Sequence, residues 1–224
     1  MKGKLIVIEG ACDGIGKTTQ YNLLKKYLEE KGYNVCSHHF PTYNSKQGKL
    51  TEYYLNGDFG KPEELSPYLV NSIYAIDRAI TWKQELKEQY EKGSIILLDR
   101  YTTSSMIYQS SLINNKEEKE KFIDYVSDYE NNKLCIKEPD IVIFLTADFD
   151  VVSNMRNNRI DNEGIKNDVY ERDTSLMRKI YDNSSFVADY LHFEKIKCDE
   201  DGKLKSIDQI QEEIRNKLDK ILKG

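Results

Sequence analysis

"KLIVIEGACDGIGKTTQYNLLKKYLEE", residues 4–30, holds the reading that decides the fold. KLIVIE (4–9) is a short apolar run rich in β-branched side chains, as a strand covered on both faces requires. From Lys17 to about Glu30 the apolar Leu23, Leu24, Tyr27 and Leu28 recur at helical spacing, and Gly32 stops the helix. Strand, glycine-containing turn and helix in that order gather unpaired backbone N–H groups and a positive helix end at one point. That arrangement suits a phosphate. Gly14 and Gly16 let the backbone approach phosphate oxygens, Lys17 can reach the β and γ phosphates, and the Thr18 hydroxyl can ligate Mg²⁺. Gly14, Ile15, Gly16, Lys17, Thr18 and Thr19 are therefore the expected nucleotide-binding residues. The spacing departs from G-x-x-x-x-G-K-[ST] by one residue, because Ala11 stands at the first glycine position and Gly10 comes one place early. Two backbones accommodate this. Either Ala11 takes the turn normally given to glycine, or Ala11 and Cys12 bulge so that Asp13 keeps its place; the intact DGIGKTT favours the bulge.

Outward from this unit the chain alternates strand and helix patterns. NVCSHHF (34–40), SIILLD (94–99), DIVIFL (140–145) and the weaker HFEKIKC (192–198) read as further strands. Residues 66–90 carry a long helical pattern with Leu69, Val70, Ile73, Ile76, Ile80 and Leu86 as its apolar stripe. Ile207, Ile210, Ile214, Leu218 and Leu222 give a closing amphipathic helix. Alternation of this kind predicts an α/β fold with a parallel sheet, and ligands then bind beyond the carboxyl ends of the strands. That rule places segments 10–18, 40–46, 99–104 and 146–150 on one rim. The polar segment 156–168, RNNRIDNEGIKND, reads as a surface loop that serves as a lid.

The 224 residues, 39% of them hydrophobic, suffice for one substantial core, a single domain over 1–224 with a lid at 152–172. Charges sum to 33 − 38 = −5 with a pI near 5.4, which argues against a basic nucleic-acid surface. Mean hydropathy is −0.68, and no apolar run is long enough for a membrane span. Four scattered cysteines without a C-x-x-C pair imply reduced thiols and a cytoplasmic protein.

A phosphate loop alone leaves kinases, GTPases and motor ATPases open. LLDRYTTSS puts Asp99 and Arg100 at a strand end on the loop's rim, where the acid can hold the metal or its water and the arginine can fork onto a phosphate. In NSIYAIDRAITW, Tyr74 and Arg78 lie four apart and share a helix face that suits stacking and edge-bonding of a planar base. A guanine-reading switch is disfavoured, since NNKL (131–134) has leucine where N-K-x-D needs its acid.

Together, IVIEGACDGIGKTTQ, FPTYNSKQGKL, YAIDR, LLDRYTTSSMIYQ and DVYERD resemble the thymidylate kinase family along nearly the whole chain. The resemblance implies a five-stranded parallel sheet between helices and transfer of the ATP γ-phosphoryl to thymidine monophosphate. It also implies Mg²⁺ dependence with Thr18 and Asp99 at the metal, small nucleotide substrates and a homodimer. It sets Asp13 near the acceptor's sugar and phosphate, Tyr74 on the thymine face, Arg78 on its edge and Asp99–Arg100 at the phosphates. Tyr108 then packs under the deoxyribose, Ser105 and Gln109 lie near base or sugar, and Tyr170–Glu171 close the lid beside the acceptor. Two departures carry consequences. Gly14 stands where one branch of the family has a catalytic arginine, so the transferred charge is expected to meet lid arginines, Arg156 or Arg159, with Lys166 weaker. Tyr43 stands where many members have an arginine on the acceptor phosphate, which opens the acceptor's identity to other nucleoside monophosphates. A deoxynucleoside kinase would need a carboxylate base, for which Glu9 is the candidate; a catalytically silent homologue is the remaining alternative. An anionic phosphate acceptor needs no base, and none of His38, His39 and His192 is assigned a role.

Overall fold

Alternation along β1 (Lys4–Gly10) sorts the two faces of the sheet. The computed structural model describes residues 3–11, 14–163 and 168–223, with side chains throughout these except at 157–163 and 223. Ile6 and Ile8 face α1 (Lys17–Glu30) and α9 (Ile207–Lys223), packing on Leu24, Leu28, Ile214 and Leu218. Leu5 and Val7 face the other way, toward Phe40, Trp82 and Leu86. Every one of these side chains is at most 5% exposed, so each contributes roughly 1.5–3 kcal/mol of burial.

The main sheet runs β2 (Val35–His39), β3 (Ile95–Asp99), β1, β4 (Ile141–Thr146), β5 (Glu194–Lys197), all parallel. Register sets Ile8 beside Asp99 and Ile143, so β1 ends between β3 and β4. The chain leaves β1 for β2 on one side and later reaches β4 on the other, and that reversal opens a crevice at the strands' carboxyl ends. The five expected strands and the α/β class are therefore present.

The long helical pattern of 66–90 becomes α3 (Pro67–Thr81), a π-helical stretch (Trp82–Leu86) and α4 (Lys87–Glu91). Only half of its apolar stripe packs inward. Val70 and Leu86 are buried, but Leu69, Ile76 and Ile80 are 53, 43 and 36% exposed, while Asn71, Asp77, Arg78 and Thr81 are buried. An apolar and a polar face adjoin on this helix, and the polar face turns inward with its side chains hydrogen-bonded, Arg78 to Glu130 and Asp77 to the Thr42 N–H.

The remaining helices are α2 (Lys49–Asn56), α5 (Thr102–Tyr108), α6 (Lys116–Ser127), α7 (Phe149–Glu163) and α8 (Thr174–Tyr190). A small antiparallel ladder joins β6 (Asp199–Glu200) to β7 (Lys203–Leu204). Residues 156–163, read as loop, instead finish α7; their Asn- and Asp-rich sequence lacks an apolar face but also lacks a helix breaker until Gly164. No helix among the described residues is long and apolar enough to cross a membrane.

Candidate active site

The strand-to-helix turn after β1 answers half of the spacing question. Ala11 donates its N–H to the Leu145 carbonyl at 3.0 Å and is fully buried, so it extends the β1–β4 ladder. Positive φ falls on Gly14 (95°) and Gly16 (83°), and Ala11 is not among the residues that share it. Ala11 therefore does not replace a left-handed glycine. Cys12 and Asp13 lie outside the described residues, so the expected bulge and the acceptor-side role of Asp13 lie there too. Gly16 leads into α1 in the left-handed region, and no side chain caps that helix end. Its first-turn N–H groups thus face the crevice, the arrangement that receives a phosphate.

Lys17 is pinned rather than free. Its Nζ lies 2.8 Å from Asp99 Oδ1, with both side chains under 10% exposed. Asp99 Oδ2 lies 3.1 Å from His39 Nδ1. Burial pushes the Asp99 carboxyl up, but the His39 hydrogen bond, Lys17 and Arg100 together hold it well below the usual carboxylate range. Sequence reading gave no role to any histidine; here His39, at the carboxyl end of β2, orients the central acid. Asp99 contacts Lys17, and the next residue along the chain is Thr18, which is exposed. Magnesium favours one or two carboxylates with hydroxyl, water and phosphate oxygens, and Asp99 with Thr18 fits that donor set.

Arg100 has a left-handed backbone, φ 66°, which costs a non-glycine residue roughly 1–2 kcal/mol. Glu9 holds it there. The fully buried Glu9 carboxylate accepts hydrogen bonds from Thr103 Oγ1 at 2.9 Å and Ser104 Oγ at 2.5 Å, and lies 3.6 Å from Arg100 Nη1. Arg100 Nη2 donates to the Tyr108 hydroxyl at 3.3 Å, and its guanidinium lies 5.3 Å from that ring's centre.

The expected base-side residues come together around four tyrosines. Tyr74, half-buried on α3, has Arg78 one turn on, its guanidinium 5.9 Å from the ring centre. Tyr54 meets Tyr74 edge-on at 6.0 Å and shares a 2.7 Å hydrogen bond with the Tyr170 hydroxyl. Gln109 Nε2 donates to that same hydroxyl at 2.8 Å, and Tyr108 meets Tyr170 edge-on at 5.2 Å. Burial raises the pKa of Tyr54, Tyr74 and Tyr170, so all three are neutral phenols at pH 7. Tyr170 is 2% exposed and forms the buried side of this tyrosine cluster. Tyr54 escaped the sequence reading, where EYYLNG showed only a tyrosine pair. Ser105 is buried and touches Arg78.

Tyr43 is half exposed on the loop after β2, stacked on His39 at 6.1 Å and close enough to Tyr74 to interact with it electrostatically. Buried Asp77 pins this loop, taking the Thr42 N–H at 2.7 Å, a role its position beside Arg78 did not announce.

Helix α7 touches the loop directly. A Cβ added at Gly14 would sit 3.2 Å from the Arg156 Cα and Cβ, so α7 fills the space a side chain at 14 would need. Arg156 itself donates from Nη2 to the Glu171 carbonyl, and its Nε lies 3.4 Å from Glu171 Oε1. Asp168 Oδ1 accepts from the Tyr170 and Glu171 N–H groups at 2.9 Å, shaping the turn that presents Glu171. The Arg159 side chain and Lys166 lie outside the described residues.

The family model described as thymidylate kinase matches residues 8–214. A thymidylate kinase from Thermoanaerobacter sp. (strain X514) is 38% identical over 109 residues, 49% of this chain and 51% of that protein. The chain thus matches about half the length of that relative, whereas one from Exiguobacterium sp. (strain ATCC BAA-1283 / AT1b) is 27% identical over 96% of this chain and 93% of its own. A solved thymidylate kinase from Candida albicans superposes with a TM-score of 0.71 at 21% identity, covering 98% of this chain and 92% of that one, and shares the fold. With the family model spanning nearly the whole sheet, loop and chamber, this chain belongs to the thymidylate kinase family.

Proposed function

We propose that this protein transfers the γ-phosphoryl group of ATP to thymidine monophosphate, giving ADP and dTDP, with Mg²⁺. The observation that carries the reading is the continuity of two half-sites. Asp99 pairs with the loop's Lys17, and its neighbour Arg100 pairs with Tyr108 in the tyrosine chamber. Donor phosphates on the loop and an acceptor stacked on Tyr74 would meet at this Asp-Arg pair. A phosphate oxygen of the acceptor attacks the γ-phosphorus, the bond to the β-bridging oxygen breaks, and ADP leaves with that electron pair. The nucleophile is already anionic at pH 7, so positioning and charge neutralisation carry the catalysis. Lys17 and Arg100 neutralise the phosphates, Arg78 and Tyr74 orient the base, and Arg156 reaches the transferred group from the lid. Thr18 and Asp99 would hold Mg²⁺, which would supply positive charge to offset that of the phosphates.

The deoxynucleoside-kinase alternative loses its base. Both Glu9 oxygens are engaged, Oε2 by Thr103 and Ser104 and Oε1 by the Gly10 N–H and Arg100. The test is coupled ADP release across acceptors. dTMP is expected to give the highest kcat/KM; a better rate with dGMP, CMP or UMP would overturn the acceptor, and phosphorylation of thymidine itself would overturn the reaction class.

We also infer a homodimer in the cytoplasm. Exposed Leu69, Ile76 and Ile80 form one apolar stripe on α3, which supports a subunit contact. Among the described residues Cys36, Cys135 and Cys198 are free, which supports a reducing compartment. Sedimentation of the wild type should give a dimer that Ile76→Glu dissociates. A wild-type monomer would remove the first inference, and recovery of the chain from a secreted fraction the second.

A further inference from the structure

Arg78 is held chiefly from outside the tyrosine cluster. Its guanidinium is 2% exposed and is gripped by Glu130, a fully buried acid on the π-helical stretch Asp128–Lys133 that follows α6. The grip is a fork: Nε donates to Oε2 at 2.6 Å and Nη2 to Oε1 at 2.6 Å. Nη2 also donates to Ser105 Oγ at 2.9 Å and to Asn71 Oδ1 at 3.3 Å. Nη1 makes one long contact, 3.4 Å to the Tyr101 carbonyl. Five N–H groups lie in one plane on a guanidinium, so fixing Nε and Nη2 fixes where the Nη1 edge points. Nη1 is the least engaged of the three nitrogens, on a guanidinium 5.9 Å from the centre of the Tyr74 ring.

We infer that Glu130 is a positioning and specificity-determining residue, which locks Arg78 so that its Nη1 edge offers donors alone to the edge of the acceptor base. The inference rests on the dTMP reading above. A donor-only edge pairs with a ring carbonyl and opposes an exocyclic amine, so the locked arginine favours thymine over cytosine. Glu130 adds a second effect. It neutralises a cation that would otherwise be buried alone, and a buried isolated charge is strongly unfavourable. An arginine already balanced in this way binds a neutral base without the site carrying an unpaired charge when empty. Nothing in the local sequence shows this. Glu130 lies 52 positions from Arg78 in a run, DYENNK, that reads as solvated surface.

The experiment is steady-state kinetics on Glu130→Gln, with KM measured separately for dTMP and ATP and with dCMP as competing acceptor. Glutamine keeps the shape but turns one oxygen into a donor facing the arginine's N–H groups. The KM for dTMP should rise about tenfold or more and the preference for dTMP over dCMP should fall by a similar factor, the scale of one lost charge-assisted hydrogen bond. The KM for ATP should stay within about twofold, because the phosphate loop is not part of this network. Should Glu130→Gln not fold, Glu130→Asp decides, since it keeps the charge and only shortens the reach; it should shift dTMP in the same direction by a smaller factor. Parallel losses for both substrates, or a lowered melting temperature with unchanged dTMP affinity and selectivity, would reduce Glu130 to a purely structural role and overturn the inference. If the wild type prefers another acceptor, the dTMP reading fails first, and that outcome is visible before any Glu130 variant is made.

Discussion

Lys17→Ala is expected to lower kcat for phosphoryl transfer by about 10³-fold while the protein stays folded. The scale is that of removing one preorganised donor from charge developing in a transition state, about 10²–10³, with a full cation at the upper end. Lys17 follows Gly16 at the start of α1 and its ammonium is oriented by Asp99 at 2.8 Å, so it waits in place for the phosphates. Removing it also strips one cation from a buried carboxylate. Orphaning an isolated buried charge costs roughly 3–5 kcal/mol. The cost here should fall below that range, because His39 stays 3.1 Å from the other Asp99 oxygen and Arg100 still lies beside it. Thermal melting separates the two effects: a modest drop in midpoint with a thousandfold loss of kcat is the expected pair. Lys17→Met, which keeps the aliphatic stem, should recover stability and no activity. A Lys17→Ala enzyme with kcat within threefold of wild type would remove the loop from the mechanism.

What the sequence showed clearly was local and periodic. The first strand, loop and helix were legible because a β-branched run, a glycine turn and a 3.6-residue period follow one another without a gap. The other strands were legible as short apolar runs that both faces of a parallel sheet bury. The α3 helix shows where that signal stops. Leu69, Ile76 and Ile80 have core-like chemistry and lie outward, whereas Asn71, Asp77 and Arg78 lie inward. Periodicity identifies a face but not its destination, and a helix that lines a polar site beside an apolar outer surface inverts the usual assignment. The residues missed at the site share one property. His39, Tyr54, Asp77 and Glu130 act on partners 35 to 116 positions away, through Thr42 in one case and Tyr170 in another. No spacing rule connects such pairs; only the sheet order and the packing of α2, α3 and the stretch after α6 bring them together.

The lid carries the second large effect. Arg156→Ala is expected to lower kcat by about 10²–10³-fold and to change the KM for ATP by less than about threefold, as for an arginine that stabilises transferred charge more than ground-state binding. The geometry supplies the reason. Gly14 leaves no side chain on the loop, and the backbone of α7 at Arg156 packs into that space, bringing α7 to the loop after β1. Glu171 holds the Arg156 side chain through its carbonyl and its carboxylate, and Asp168 fixes the turn that presents Glu171. A charge delivered from this position is preorganised, since Glu171 holds it and Asp168 fixes the turn that presents Glu171 before any phosphate arrives. Arg156→Lys keeps the charge but loses the fork to Glu171, so it should recover only part of the rate. Single-turnover measurements at saturating ATP separate the chemical step from product release. Should Arg156→Ala leave that step at the wild-type rate, the stabilising charge comes from elsewhere, and Arg159 is the next residue to replace. Should KM for ATP rise with kcat unchanged, Arg156 binds the donor and does not act on the transferred group.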